Sequence, residues 1–282
     1  MLEIKGLSKR FGRLRAVRDV SLTVRAGEGY ALIGPNGAGK TTLIKCLLGF
    51  YRRYGGGISF DGRPVVRAMA AQQVGYLPER LTFPATTTAL DYLQLQALSR
   101  GLRYASLAGR VRALTEELAL ERWLRTPLYR FSKGMSRKLG FIQSVMHQPR
   151  LLVLDEPTEG LDPVARRIVL RRVRELAAGG AVVLMTSHLL ADLERVSDRV
   201  GVILAGSLVA EMPLEQLKAS LECTAVLDAE GGGAVEVVLR PGERLNLPPG
   251  PCTVLSVTGR GRSLEDWYHE VLRDHGVEGV GP

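Results

Sequence analysis

The chain has 282 residues, of which 45% are hydrophobic and 24% charged, with a formal net charge of +9. This composition predicts a folded chain with a sizeable core, and no apolar run approaches the ~18 residues that cross a bilayer. The N-terminal residues open directly into a strand pattern, which argues against a secretion signal. Three widely spaced cysteines without a C-x-x-C pair favour a reducing compartment and argue against zinc.

The positive charge is compatible with nucleic acid, an anionic membrane surface or nucleotide phosphates as partners. The arginines are densest at 165–176, where apolar residues recur at helical spacing. A solvated helix face explains such a run. Few aromatic residues lie among these arginines to stack on bases, so the sequence argues against nucleic-acid binding.

At the N-terminus, residues 2–5 and 16–24 alternate in hydrophobicity and predict strands, with a turn at Gly12 and Arg13. They predict an antiparallel lobe. Phe11 lies beside the turn, where its ring either stacks on a purine or is an ordinary packing aromatic.

The segment Gly34–Thr42 matches the pattern G-x-x-x-x-G-K-[ST] between a buried strand at 30–33 and a helical pattern at 43–48. In such a loop, glycines let the backbone approach phosphates, and the helix N-terminus binds the anion. Lys40 neutralises the β- and γ-phosphate oxygens, and Thr41 can bind Mg²⁺. The predicted nucleotide contacts are Phe11, Gly34, Pro35, Asn36, Gly37, Ala38, Gly39, Lys40, Thr41 and Thr42.

After the first helix, Gly55–Gly57 predict a helix end, followed by a short strand at 58–60, a turn at Asp61 and Gly62, and a strand at 74–77. Between about 80 and 148 the pattern becomes helical. The sequence therefore predicts a helical subdomain inserted into an α/β core. Its helices are predicted at Thr88–Ser99, Ser106–Leu120 and Ser132–His147, separated by Gly101, Gly109 and Pro127.

The apolar run 151–154 predicts a buried parallel strand that ends in Asp155 and Glu156. Ligands of α/β sheets bind at the carboxyl ends of the strands. Asp155 can therefore hold the Mg²⁺ that Thr41 touches, and Glu156 can accept a proton from a water aimed at the γ-phosphate. An edge strand entering a charged turn would explain these residues alone, but their combination with Gly34–Thr42 favours catalysis.

The next buried strand is predicted at 181–185, and His188 follows its end. An imidazole there can reach a γ-phosphate, whereas a lone histidine is more often a surface or core residue. A hairpin at 198–211 and a helix from Pro213 to about residue 220 complete a first domain at 1–220. Short strands and a helix capped by Ser263 predict a small α+β domain at 221–282.

Residues 1–220 resemble an ATP-binding cassette (ABC) ATPase, most closely the ATP-binding subunits of bacterial ABC-2 type exporters, in which Ser-Lys-Gly-Met often replaces the signature Ser-Gly-Gly-Gln. The motifs that carry the resemblance are Gly34–Thr42 (Walker A), Phe131–Met135 (signature), Leu151–Glu156 (Walker B), Glu159–Asp162 (D-loop) and His188 (switch histidine).

The resemblance implies a P-loop NTPase core that hydrolyses ATP with Mg²⁺, using Glu156 and His188 as catalytic residues. It implies a second cassette, identical or different, with Ser132, Gly134 and Asp162 contacting ATP across the interface. It further implies a separate transmembrane permease subunit and a cytoplasmic position, peripheral on the inner face of the cell membrane.

Glu79 stands where the family usually has the Q-loop glutamine, and its carboxylate can hold Mg²⁺ or a water. Nearby, Leu81 and Phe83 are apolar in a segment that should otherwise be polar. Either they help transmit force to a membrane subunit, or they fold back onto the helical subdomain.

Two functions other than transport are compatible with these motifs. One is a soluble cassette ATPase acting on ribosomes or nucleic acid; such proteins normally carry two cassettes or a long coiled coil, which this sequence lacks. The other is a nucleotide-gated binding module without turnover, which the presence of Glu156 and His188 disfavours.

Overall fold

A computed structural model describes residues 1–64, 73–84, 86–219, 221–229, 233–239, 252–261 and 263–277. It divides into two compact units, Met1–Glu211 and Met212–Val280. This division precedes the predicted boundary at residue 220, because the helix Leu214–Ala219 packs with elements of the second unit. Among the described residues, no helix is long and apolar enough to span a bilayer.

The strands of the described chain are β1 Leu2–Phe11, β2 Leu14–Val24, β3 Gly29–Ile33, β4 Gly55–Phe60, β5 Arg63–Pro64, β6 Val74–Leu77, β7 Leu151–Asp155, β8 Val182–Thr186, β9 Arg199–Leu204, β10 Ser207–Pro213, β11 Leu221–Ala229, β12 Gly233–Leu239 and β13 Cys252–Gly261. The helices are α1 Lys40–Leu47, α2 Ala89–Ser99, α3 Tyr104–Glu117, α4 Lys133–Val145, α5 Pro163–Ala178, α6 Leu190–Val196, α7 Leu214–Ala219 and α8 Leu264–Asp274.

The first sheet has the order β2-β1-β4-β5, and its described pairs are antiparallel, which confirms the predicted antiparallel lobe. β1 continues to Phe11, well beyond the predicted end at residue 5. The register shifts between Ile4 and Leu7, where Gly6 takes a positive φ of 61°. Pairing with β2 continues beyond this irregularity to Phe11.

The prediction that Gly55–Gly57 end a helix is wrong, because these glycines belong to β4 and pair with β1. The close approach of the two strands explains their residue type. Gly56 has a φ of 83°, and a Cβ there would overlap the carbonyl groups of Lys5 and Gly6. Here glycine permits a bulged strand rather than stopping a helix.

The second sheet has the order β10-β9-β3-β8-β7-β6 and is parallel from β9 to β6. β3, β7 and β8 are buried along their whole length, as expected of central strands covered on both faces. Parallel pairing brings the carboxyl ends of β3, β7 and β8 to one edge. That edge receives the segments that start at Gly34, Glu156 and Ser187.

Helices α2, α3 and α4 lie where the sequence predicts helices. Thr88 caps α2 by accepting the N–H of Asp91, and Ser132 caps α4 by accepting that of Met135. The prediction that Gly109 separates helices is wrong, because it lies inside α3, and a Cβ at this position would meet no neighbouring atom. A single glycine costs a helix only about 1 kcal/mol relative to alanine, and the flanking residues sustain α3.

The second unit contains the antiparallel sheet β12-β11-β13 and the helices α7 and α8. The predicted cap of α8 is present as a reciprocal capping box between Ser263 and Asp266. The buried side of α8 comprises Leu264, Trp267, Tyr268, Val271 and Leu272. Residue 220, the predicted end of the first domain, lies outside the described residues.

Candidate functional site

The loop between β3 and α1 forms a cradle of main-chain groups. Gly37 and Gly39 take positive φ values of 80° and 111°. A Cβ on Gly34 would overlap the carbonyl oxygen of Ile203, and one on Gly39 that of Ala16. Among the described residues, no side chain caps the N-terminus of α1. The loop therefore presents free helix N–H groups and a positive dipole end, which together bind an anion.

The ammonium group of Lys40 lies at the mouth of this cradle. It donates hydrogen bonds to the main-chain oxygens of Gly34 and, at 3.1 Å, Pro35. Burial lowers the pKa of Lys40, whereas the negative charges of Glu156 and Asp155 oppose that shift. A half-buried cation that donates to neutral carbonyl groups is placed to exchange them for phosphate oxygens.

Asp155 occupies the C-terminal end of β7 and accepts hydrogen bonds from two hydroxyl groups. Thr186 Oγ1 donates to Asp155 Oδ1 at 2.6 Å, and Thr41 Oγ1 donates to Oδ2 at 3.3 Å. No cluster of three or more metal-binding His, Cys, Asp or Glu side chains exists in the described part of the chain. A hydroxyl and one buried carboxylate fit Mg²⁺, which takes hard oxygen ligands from one or two carboxylates, phosphates and water.

Glu156 follows directly and is buried, and its positive φ of 54° ends the extended backbone of β7. Its Oε2 accepts the main-chain N–H of His188 at 3.1 Å, and its Oε1 lies 3.4 Å from His188 Nε2. Burial raises the pKa of Glu156, and the His188 N–H group partly offsets this. A carboxylate with a raised pKa beside a phosphate cradle is suited to general-base catalysis.

These groups open into one cleft of about 510 Å³. The predicted site residues that line it are Phe11, Asn36, Gly37, Ala38, Gly39, Lys40, Thr41, Thr42, Glu79, Asp155, Glu156 and His188. The structure thus brings together most of the residues that the sequence predicts to bind phosphate or metal or to act in catalysis, whereas Gly34 and Pro35 are not among the lining residues.

Six lining residues were not predicted from the sequence, and two of them, Arg15 and Arg18, are charged. The main-chain N–H of Arg18 donates to the Gly206 carbonyl at 2.7 Å, which brings β2 against the turn after β9. Both arginines are exposed and add positive charge to the rim. The available signal was that both arginines lie near Phe11 and the predicted turn at Gly12 and Arg13 in the sequence.

Phe11 is exposed at the rim, and its ring meets Tyr51 edge-on at 5.1 Å. The ammonium group of the buried Lys9 lies 5.0 Å from the Phe11 ring centroid. Phe11 therefore combines a packed support with an exposed surface, which suits a base-stacking role.

Ser132, Gly134 and Asp162 do not line this cleft. Ser132 is exposed at the N-terminus of α4. Asp162 caps α5 through the N–H groups of Val164 and Ala165, and the bond from Ala165 contributes most to lowering its pKa. A Cβ on Gly134 would lie 2.9 Å from the Gly160 oxygen, so the signature segment and the D-loop are closely packed.

The loop after β6 carries Glu79 into the cleft with its side chain half exposed. Leu81 and Phe83 fold back onto the helical subdomain. A Cβ on Gly140 in α4 would meet Leu81 Cδ1 at 2.7 Å, and Phe83 meets the Tyr92 ring edge-on at 4.9 Å. Both side chains are only half-buried, so this packing leaves part of each accessible.

A larger cavity of about 610 Å³ is lined by residues of α3, α5 and the segment that leads into β7. Three of its arginines already have partners: Arg110 donates to the Met146 oxygen, while Arg150 and Arg172 pair with Asp61 and Glu117. None of the predicted phosphate-binding residues lines it. The smaller cleft, which contains the cradle, is therefore the candidate nucleotide site.

A family model described as ABC transporter matches residues 17–159, which include the cradle and the carboxylate pair. The chain belongs to the ABC transporter family. Members of this family bind and hydrolyse ATP, so the cassette is an ATPase and the predicted resemblance is confirmed.

Relatives of the cassette include a Nod factor export ATP-binding protein I from Burkholderia lata, 37% identical, with 80% of this chain and 75% of the relative covered. The linearmycin resistance ATP-binding protein LnrL from Bacillus subtilis is 32% identical, with 74% and 68% covered. A lantibiotic transport ATP-binding protein, SrtF, from Streptococcus pyogenes is 31% identical, with 75% and 90% covered.

Solved structures agree with the fold of the cassette. The structure of an ATP-binding subunit of an ABC transporter has a TM-score of 0.73 and 35% identity, covering 77% of this chain and 92% of that one. A dimeric bacterial ABC transporter cassette has a TM-score of 0.69 at 18% identity, over 76% and 99% of the two chains. These similarities confirm the predicted α/β fold of the P-loop NTPase type.

Proposed function

We propose that the cassette is the ATP-hydrolysing subunit of an exporter and drives a separate transmembrane subunit from the cytoplasmic face of the membrane. The observation that carries this proposal is the placement of Glu156 and Asp155 beside the cradle. The names of two relatives refer to Nod factor export and lantibiotic transport, which favours export over action on ribosomes or nucleic acid.

In this proposal the cradle amides and Lys40 bind the phosphates of ATP. Thr41 and Asp155, with Glu79 at the edge of the cleft, would hold Mg²⁺, which would neutralise charge that develops on the β- and γ-phosphates. Glu156 accepts a proton from the attacking water, since its carboxylate is buried and faces the cleft. The main-chain N–H of His188 donates to that carboxylate, and its imidazole lines the same cleft, where it would contact the γ-phosphate.

The proposal includes ATP-dependent pairing of two cassettes. Ser132 and Gly134 are absent from the described lining of their own chain's cleft, so they would contact a nucleotide bound by a second cassette. Ser132 is exposed at a helix N-terminus, where the helix dipole favours an anion. Asp162 would lie at the same interface, where its exposed carboxylate would contact the second cassette's nucleotide site.

Two measurements on the full chain test this proposal. Phosphate release from Mg-ATP by the purified protein tests hydrolysis, and copurification with the membrane protein encoded beside its gene tests the transport role. ATPase activity with stable copurification supports an exporter subunit. Hydrolysis without copurification, combined with ATP-dependent binding to ribosomes, would instead support the alternative function.

A further inference from the structure

Arg137 connects three segments of the nucleotide-binding unit, although its side chain is only 3% exposed. It lies in α4, five residues after the Ser132 cap. One terminal nitrogen donates to the Pro78 carbonyl at 2.7 Å, and the other donates to the Glu79 carbonyl at 2.5 Å. The second nitrogen also lies 3.5 Å from Glu159 Oε2.

The two carbonyl groups belong to the loop that carries the Glu79 side chain into the nucleotide cleft. A planar guanidinium can hold two adjacent acceptors in a fixed fork, which a lysine ammonium cannot reproduce. Arg137 therefore fixes the direction of the main chain at the point where the Glu79 side chain leaves it. The loop after β6 is therefore oriented by a residue of α4.

Glu159 extends the connection back to the start of α4. Its Oε1 lies 2.5 Å from Lys133 Nζ, while its Oε2 faces Arg137. Lys133 and Arg137 are four positions apart and so lie on one face of the helix. The loop after β6, the segment after β7 and the first turns of α4 are thereby held together.

Burying a guanidinium is costly unless its hydrogen bonds are satisfied and its charge is compensated. Burial lowers the pKa of Arg137, and Glu159 is the foremost charge that opposes this shift. The acids that line the cleft, Glu156, Asp155 and Glu79, act in the same direction. The positive charge of Arg137 is thus stabilised both by Glu159 and by the acids that line the cleft.

We propose that Arg137 is a positioning residue that links the nucleotide cleft to α4, so that the Glu79 loop and the exposed Ser132 end of the helix move together. This inference rests on the proposed pairing of two cassettes. It predicts that Arg137 acts on ATP-driven pairing and on kcat, while binding of ATP by a single subunit depends on the separate cradle.

The test compares Arg137→Lys and Arg137→Met with Arg110→Lys in the full chain. Arg110 is a matched control, because its guanidinium also donates to a main-chain carbonyl, that of Met146 at 2.6 Å, within the helical subdomain. For each variant, thermal unfolding, ATP affinity at protein concentrations that keep it monomeric, ATP-driven dimerisation and kcat are measured.

We expect Arg137→Lys to bind ATP with unchanged affinity but to lose up to about 10²-fold in kcat, because a misplacement of about 1 Å can cost that much in rate. ATP-driven dimerisation of this variant should be weakened as well. Arg137→Met should lose more, and Arg110→Lys should retain both properties. If both Arg137 variants keep their dimerisation and kcat per folded molecule, even with lower thermal stability, this inference is wrong, and the proposed function is unaffected. Absence of ATP hydrolysis in the unmodified chain would overturn the proposed function and the inference with it.

Discussion

Thr41 Oγ1 lies 3.3 Å from Asp155 Oδ2, although 114 positions separate the two residues in the sequence. Thr41 is the second residue of α1, and Asp155 is the last residue of β7. Their contact joins the phosphate cradle to the carboxylate pair at one edge of the parallel sheet. It also sets two hard oxygen donors side by side where the phosphates of ATP would lie.

Asp155→Asn should raise the Mg²⁺ concentration needed for half-maximal ATPase activity by at least about tenfold, because an amide is a weaker ligand for a hard cation than a carboxylate. A magnesium titration of phosphate release measures the change. Asp91→Asn, at an exposed position in the first turn of α2, is the control and should leave the titration unaltered. An unchanged midpoint for Asp155→Asn would exclude Asp155 as a metal ligand.

Glu156→Gln should retain ATP binding and reduce hydrolysis by roughly 10²–10⁴-fold, the range that general-base catalysis contributes. Since the substitution leaves the cradle intact, Mg-ATP should trap the variant as a dimer during gel filtration. Glu175→Gln, which changes an exposed acid on α5, should behave as the unmodified chain does. Unmodified turnover in Glu156→Gln would refute its assignment as the base.

The pH dependence of the ATPase should reflect the environment of Glu156. The carboxylate accepts a proton only when it is ionised, so activity should fall as the pH drops through its pKa. Because burial raises that pKa, the acid limb of kcat should lie above the value of about 4.3 for an exposed glutamate. A stopped phosphate-release assay across pH 4.5–8, with unfolding followed in parallel, measures it. An acid limb that merely tracks unfolding would contradict the prediction.

Ser132→Arg should prevent ATP-driven dimerisation while a single subunit still binds nucleotide, because the larger charged side chain would occupy the space of the facing cassette. The substitution also removes the cap on α4, which costs roughly 1 kcal/mol. Ser132→Ala removes the same cap without the added bulk, so sedimentation of both variants separates the two effects. Dimerisation of Ser132→Arg in ATP would show that the signature segment does not close the interface.

Phe83→Asp should lower the free energy of unfolding by roughly 1–3 kcal/mol, because the Phe83 ring packs edge-on against Tyr92. Phe50→Asp is the control, since Phe50 is 63% exposed and loses less contact. Denaturant unfolding of both variants measures the difference. If Phe83→Asp instead keeps its stability and ATPase but loses copurification with the membrane subunit, Phe83 serves coupling rather than packing.

The sequence by itself determined the local elements of the site. The order of glycines, lysine and threonine in Gly34–Thr42 predicts a strand-to-helix turn, because each residue type suits its own backbone or phosphate contact. The apolar run before Asp155 predicts a buried strand for the same local reason. Parallel packing then places such strand ends at one edge, so the gathering of Lys40, Asp155 and His188 was predictable.

The tertiary structure alone decided what depends on neighbours distant in sequence. Gly55–Gly57 resemble a helix stop, but the approach of β1 to β4 makes them part of a strand. Leu81 packs against Gly140 in the helical subdomain, one of the two placements that the sequence left open. Arg137 donates to the carbonyl groups of Pro78 and Glu79, and nothing in its local sequence pattern indicates these partners. Burial and hydrogen bonding are properties of the packed chain, whereas propensity and motif spacing are properties of the local sequence.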